Sequence, residues 1–191
     1  MAAGTRERIL EATLACVGRF GMAKTTMEDI ARQADLSRAT LYRAFPGGRE
    51  EVLDAVVTWE VARFFGRLNE AIRPEGLGLA AVLEQGLLAA RDAMEHHELL
   101  QRLLREEAEV LVPSLATVMP LVVTALADWF RPRLEQAALR SGAEPAEAAE
   151  LVARLALSYL ATPGRWDLAD PAQVRRLVER HLLAAVLADP A

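Results

Sequence analysis

Residues 25–53 read TTMEDIARQADLSRATLYRAFPGGREEVL, and this stretch limits the fold more than any other. Its pattern spells a short helix, a tight turn, a second short helix and the start of a third. Thr25 or Thr26 caps the first of these, with Glu28 or Asp29 completing a capping box. Ile30, Ala31, Ala34 and Leu36 form its inward face at helical spacing. Ala31 is small enough for a second helix to cross close by. Asp35 falls where the chain must bend, and aspartate tolerates left-handed backbone better than most residues.

Ser37 is placed to cap the second helix, with Leu41, Ala44 and Phe45 pointing inward. Arg38, Ala39, Thr40, Tyr42 and Arg43 are left at its outer face or edge. Pro46 disfavours further helix at Phe45, and Pro46-Gly47-Gly48 ends the element. A helix with hydroxyl, guanidinium and phenol groups on one side and apolar groups on the other is built to read DNA. Upstream, Ile9, Leu10, Leu14, Val17 and Phe20 mark one face of a further helix. Thr13 lies on the same stripe, where its hydroxyl can bond a carbonyl one turn back. Gly21 stops that helix.

These residues resemble the helix-turn-helix domain of the TetR family of bacterial transcriptional regulators. The resemblance rests on Thr25-Thr26, Ile30-Ala31, Ser37, Leu41-Tyr42, Phe45 and the loop Pro46-Gly47-Gly48, and it covers about residues 5–53. Asp35 departs from it, since the family usually has glycine there. Ala and Leu dominate with few β-branched alternations, and the helical pattern along the chain predicts an all-α fold of about nine helices. A three-helix helix-turn-helix DNA-binding domain over residues 1–50 would precede a helical effector-binding and dimerisation domain over 51–191.

The expected DNA contacts follow from side-chain chemistry. Ser37, Arg38, Ala39 and Thr40 stand at the start of the reading helix, where base edges are reached. Arg38 suits guanine, because a guanidinium bonds two acceptors at once; Thr40 and Ala39 suit thymine methyl groups. Lys24, Thr25, Thr26 and Tyr42 are expected on phosphates, Arg43 on either, and Arg49 completes the set. Lys24, the one lysine of the chain, precedes a helix N-terminus that itself attracts anions.

A net charge of −5 argues at first against nucleic acid, but its distribution does not. Residues 1–50 hold eight basic and six acidic side chains, net +2; the remainder holds 14 and 21, net −7. Local potential matters more than the total. A single cysteine, Cys16, fits a reducing compartment and reads as a small buried hydrophobe. The charged N-terminus does not read as a secretory signal, so the expected location is cytoplasmic. Residues 110–127 carry no charge over 18 positions, near the length of a membrane span. Pro113 and Pro120 interrupt the run, so a buried helical segment is expected and no membrane partner. No nucleophile sits beside a base by motif and no Gly-rich phosphate loop is present, so the chain does not read as an enzyme, and no cofactor or metal is expected.

Beyond residue 48 the pattern predicts helices over about 49–72, 77–95 and 98–107, separated by a break at residues 73–76. An irregular piece around Pro113 follows, then helices over about 120–140, 145–160 and 171–187, the last capped by Asp170. Residues of a size to line a pocket are Trp59, Phe64, Phe65, Met94, Leu103, Met119, Trp129 and Phe130, though such residues also serve as plain core. His96 and His97 end a helix, and adjacent side chains diverge too far to share a metal. Leu151, Val152, Leu155 and Tyr159 on one of the last two helices, with Val174, Val178, His181 and Ala185 on the other, mark broad apolar faces. Such faces call for cover by a twofold partner or by the chain's own core. The resemblance favours a homodimer built there.

The functional expectation is a sequence-specific DNA-binding regulator, a repressor released from a near-palindromic operator by a small apolar or amphipathic molecule. The alternatives are a DNA-binding regulator with no effector, and a helical partner-binding protein that has lost DNA binding.

Overall fold

A computed structural model describes residues 3–72 and 75–188. Its elements are helical: α1 (Ala3–Phe20), α2 (Met27–Gln33), α3 (Arg38–Ala44), α4 (Gly48–Ile72), α5 (Leu79–Glu95), α6 (Glu98–Glu106), α7 (Ala108–Leu134), α8 (Pro145–Ala161) and α9 (Pro171–Leu177). A π-helical turn, Val178–Leu183, continues α9. No strand forms among the described residues; Leu139 and Leu187 make an isolated antiparallel bridge. Arg73 and Pro74, half of the break expected at 73–76, lie outside the described residues.

The chain packs as two compact units, residues 1–65 with 97–118 and residues 66–96 with 119–191. The unit holding the helix-turn-helix therefore runs past residue 50 and takes in α6 and the first part of α7. The reason lies in α4. Val52 and Val56 share a core with Ile9, Leu10, Cys16, Met27, Ile30, Ala31, Leu41, Ala44 and Phe45 of α1–α3. One position round the helix, Leu53 and Val57 share a second core with Val17, Met22, Leu103 and Leu111. Two neighbouring i, i+4 stripes on one helix thus bind the reading helices on one side and α6–α7 on the other.

In the second unit α8 buries Ala148, Ala149, Val152, Ala153, Ala156 and Leu160. Asp170 caps α9 by accepting the Ala172 N–H at 2.8 Å, and Pro171 occupies its first turn. The π turn was not legible as such. It adds a residue to the helical repeat while Val178, Leu182 and Leu183 stay buried.

α7 corrects the expectation of an irregular piece at Pro113 and a helix beginning near Pro120. One helix of 27 residues runs through Pro113, Pro120 and Pro132, and it ends at Leu134, not near residue 140. Each proline denies a hydrogen bond to the carbonyl four residues back, at Glu109, Ala116 and Asp128. All three of those residues are exposed, so water can meet the freed carbonyls. The proline carbonyls themselves take donors from Thr117, Thr124 and Gln136 at 3.1, 3.0 and 3.0 Å. Nor is the segment a buried one. By length and composition α7 could cross a membrane, yet 22% of its most apolar window is buried, and Val112 and Leu121 are 51% and 64% exposed.

Candidate nucleic-acid interface

The frame of the reading helix is set by local chemistry. Thr26 is the N-cap of α2 and forms the capping box with Asp29: its Oγ1 accepts the Asp29 N–H at 3.2 Å, and Asp29 Oδ2 accepts the Thr26 N–H at 3.3 Å. The Thr26 hydroxyl also donates to Asp29, the chief reason that the Asp29 carboxyl lies below its ordinary range. Asp35 then takes φ +50°, the left-handed turn expected of it. Ser37 caps α3 by accepting the Thr40 N–H at 3.1 Å. Leu41, Phe45 and Ile30 are fully buried beneath the two helices. Thr13 is buried and donates to the Ile9 carbonyl at 2.7 Å, as its place on the α1 stripe predicts.

On this frame Lys24, Thr26, Ser37, Arg38, Ala39, Tyr42 and Arg43 are exposed and Thr40 is half-buried. The seven-residue α3 thus turns its N-terminal residues and Tyr42 outward. Two expected contacts are corrected. Thr25 is fully buried and its hydroxyl donates to the Gly21 carbonyl at 2.6 Å, so it has no reach to a phosphate. Arg49 is half-buried and donates to the carbonyls of Thr25, Met22 and Ala23 at 2.8, 2.6 and 3.0 Å, so it pins the turn before α2 from within.

Other arginines counted toward the basic half also work inside the fold. Arg6 donates to the Ala44 carbonyl at 3.1 Å and lies over the Phe45 ring, and Arg8 donates to the Asp35 carbonyl at 3.1 Å. They hold the ends of α3 and α2, where unpaired carbonyls collect. Arg38 has a neighbour that its sequence position did not announce: Glu28 of α2, 3.7 Å away, with both side chains largely exposed. Such a pair is weak in water. It leaves Arg38 free to exchange the carboxylate for another pair of acceptors.

Of the residues expected around an effector pocket, Leu103 and Phe130 are buried as core. Leu103 is buried in the core with Val17 and Met22, and Trp59 packs on the core beneath α2 and α3 with the Arg63 guanidinium over its ring. Phe64 and Phe65 meet edge to face, and Phe130 is buried against Trp129. Met94 and Met119 are half-buried. In the second unit α7 and α8 flank a cleft of about 280 Å³ lined by Pro120, Val123, Thr124, Ala127, Asp128, Arg131, Ala146, Ala149, Glu150 and Arg154. None of the eight expected residues lines it, and four of its ten are charged.

The expected dimer faces also divide. Val152, Val174 and Val178 are fully buried within the chain and leave the interface set. Leu151 is 41% exposed, Ala185 is exposed, and Leu155, Tyr159 and His181 are half-buried. His181 sits between the rings of Tyr159 and Trp166. The two adjacent histidines diverge: His96 bonds the Asp92 carbonyl, while His97 Nδ1 accepts the Leu100 N–H and caps α6. Among the described residues no three His, Cys, Asp or Glu side chains cluster as metal ligands would. Burial, and then Asp29, raise the Cys16 thiol above its ordinary value, which works against thiolate reactivity.

The family model of the bacterial regulatory proteins of the tetR family matches residues 9–56. An uncharacterised HTH-type transcriptional regulator of Bacillus subtilis, YhgD, is 25% identical over 90% of this chain and 88% of its own length. A second uncharacterised HTH-type transcriptional regulator, from Mycobacterium tuberculosis, is 29% identical over 73% of this chain and 72% of its own. Among solved structures, the complex of SmeT with triclosan is 26% identical, with a TM-score of 0.57 over 97% of this chain and 93% of that one. The R. erythropolis transcriptional repressor QsdR, from the TetR family, shares the fold at a TM-score of 0.67 and 18% identity, with both chains covered in full. Relatives and family model agree with a regulator and not an enzyme. Residues 9–56 are thus a helix-turn-helix domain of the tetR type, and along its length the chain is similar to HTH-type transcriptional regulators.

Proposed function

We propose that the protein is a cytoplasmic, homodimeric repressor that binds a near-palindromic operator and is released from it by a small molecule. The single observation that carries DNA recognition is the capped α3, which holds Arg38, Ala39, Tyr42 and Arg43 exposed above a fully buried Leu41 and Phe45. Arg38 is the base reader, and Lys24, Thr26 and Tyr42 hold phosphates. A dimer would place two such helices about 34–36 Å apart, one turn of B-DNA. Leu151, Leu155, Tyr159, His181 and Ala185 are the residues left to meet the second copy.

Effector release is supported by likeness to SmeT, whose structure was solved with triclosan. An effector acts only by preferring one arrangement of the reading helices; a switch from about 99% to 1% competent needs a preference near 10⁴-fold. One observation favours a second reading, DNA binding without an effector: Leu103 and Phe130, expected around a pocket, are buried as core, and Trp59 packs against the core of α1–α4.

Selection of bound duplexes from a random pool at about 0.15 M salt tests the reading. An inverted repeat bound at nanomolar strength is expected. Binding that ignores sequence and vanishes with salt would refute it. Melting with a panel of apolar compounds then separates the two readings, since an effector raises the melting temperature of the protein that binds it.

A further inference from the structure

The turn between α1 and α2, residues 21–25, is held by side chains from distant parts of the chain, all inside the unit of residues 1–65 and 97–118. Arg49 of α4 takes three of its carbonyls, as described. Arg102 of α6 donates to the carbonyls of Val17 and Gly18, at the end of α1, at 3.0 and 2.7 Å. Glu107, between α6 and α7, accepts the Ala23 N–H at 2.7 Å through Oε2. Its Oε1 lies so close to Gly21 that a Cβ there would stand 1.8 Å away, and Gly21 has φ +85°. Only glycine both takes that backbone shape and admits the carboxylate.

The turn carries Lys24 and leads directly into Thr26, the cap of α2. A seven-residue helix does not hold its own position; the segment entering it and the surface beneath it do. The Ala23 N–H is one residue from Lys24, so the Glu107 carboxylate sets where the proposed phosphate contacts stand.

We propose that Glu107, assisted by Arg102, is a positioning residue for DNA binding: it fixes the α1–α2 turn so that Lys24 and the first turn of α2 meet the phosphates. This rests on the operator-binding reading above. Glu107 acts through Ala23 and does not touch DNA. The sign of its effect is diagnostic. A carboxylate that was merely near the DNA would repel phosphates, and its removal would strengthen binding. Removal of a positioning acceptor weakens it.

The test uses the full-length protein, the duplex selected by the wild type, an unrelated duplex and a salt series. Glu107→Ala is expected to weaken binding to both duplexes by about fivefold to tenfold and to reduce the salt slope by about one, with base preference unaltered. Glu107→Gln keeps a carbonyl acceptor for Ala23 and is expected to recover most of the loss. Arg102→Gln, with Glu107 intact, is expected to weaken binding in the same direction, and it carries the test if Glu107→Ala loses its helical circular dichroism. Wild-type or tighter binding by a folded Glu107→Ala overturns the proposal, as does a Glu107→Gln loss as large as that of alanine. A wild-type protein that selects no duplex overturns the operator reading, and this proposal with it, before any variant is made.

Discussion

Ser37 has two duties that substitution separates. Its Oγ accepts the Thr40 N–H at 3.1 Å and stands 2.9 Å from Thr40 Oγ1, and it also lies at the end of α3 that we assign to DNA. Ser37→Ala removes the acceptor and exposes an unpaired first-turn donor, which costs about 1 kcal/mol. For a chain of this size that lowers Tm by about 2–4 °C. Ser37→Asp keeps an acceptor and places a negative charge at a helix N-terminus, worth about 0.3–1 kcal/mol in favour of the fold. The stability order is therefore aspartate at or above serine, and serine above alanine. On DNA the order changes, because a carboxylate facing phosphates and competing for Arg38 repels the duplex. Aspartate falls furthest and alanine only modestly. Circular dichroism melts and fluorescence anisotropy on the selected duplex read both orders. Aspartate binding as well as serine would show that this end of α3 does not meet DNA. An unchanged Tm for alanine would remove the cap from the account of the reading helix.

Arg38→Ala should weaken operator binding by about 1–3 kcal/mol and relax one base position, read by repeating the selection; an unchanged preference would take Arg38 out of the base-reading set. Asp170 is the group for acid sensitivity in the second unit. Its carboxylate accepts the Gln173 side-chain amide at 3.1 Å and the Ala172 N–H at 2.8 Å, and these bonds, the Gln173 one first, hold its carboxyl below the ordinary range. A carboxyl lowered by folding adds stability that is complete above the unfolded value near 4 and is lost as pH falls through the folded value. The stability gap between wild type and Asp170→Ala should therefore be flat from about pH 5 to 7 and narrow below about pH 4. Urea melts across that range check it, and a gap that widens in acid would refute the sign.

The reading helix was legible because its signals are local. Ser37 caps the helix through the N–H of Thr40, three residues on, Asp35 bends the turn it sits in, and Leu41, Ala44 and Phe45 repeat at helical spacing. Side chains with partners far along the chain were not legible. Arg49, Arg6 and Arg8 looked like positive charge for DNA and proved to be donors to helix-end carbonyls; a guanidinium does either with the same atoms. Thr25 and Thr26 are chemically alike, and only the fold sends one hydroxyl inward to Gly21 and the other to Asp29. The prolines of α7 misled because a proline's cost depends on whether the freed carbonyl meets water, which is a matter of exposure. Core residues such as Leu103 and Phe130 look like pocket residues in the sequence, since both roles need apolar bulk at helical spacing.

What the sequence determined by itself is the all-α character, the helix-turn-helix and the exposed Arg38, Ala39, Tyr42 and Arg43, because periodicity, capping and turn chemistry act within a few residues. Tertiary structure alone decided which arginines remain for DNA, that Val152, Val174 and Val178 are spent on the chain's own core, and that Glu107 reaches Ala23 from 84 residues away. Those outcomes depend on which surfaces meet, and a hydrogen bond across such a separation leaves no periodic trace in the chain that makes it.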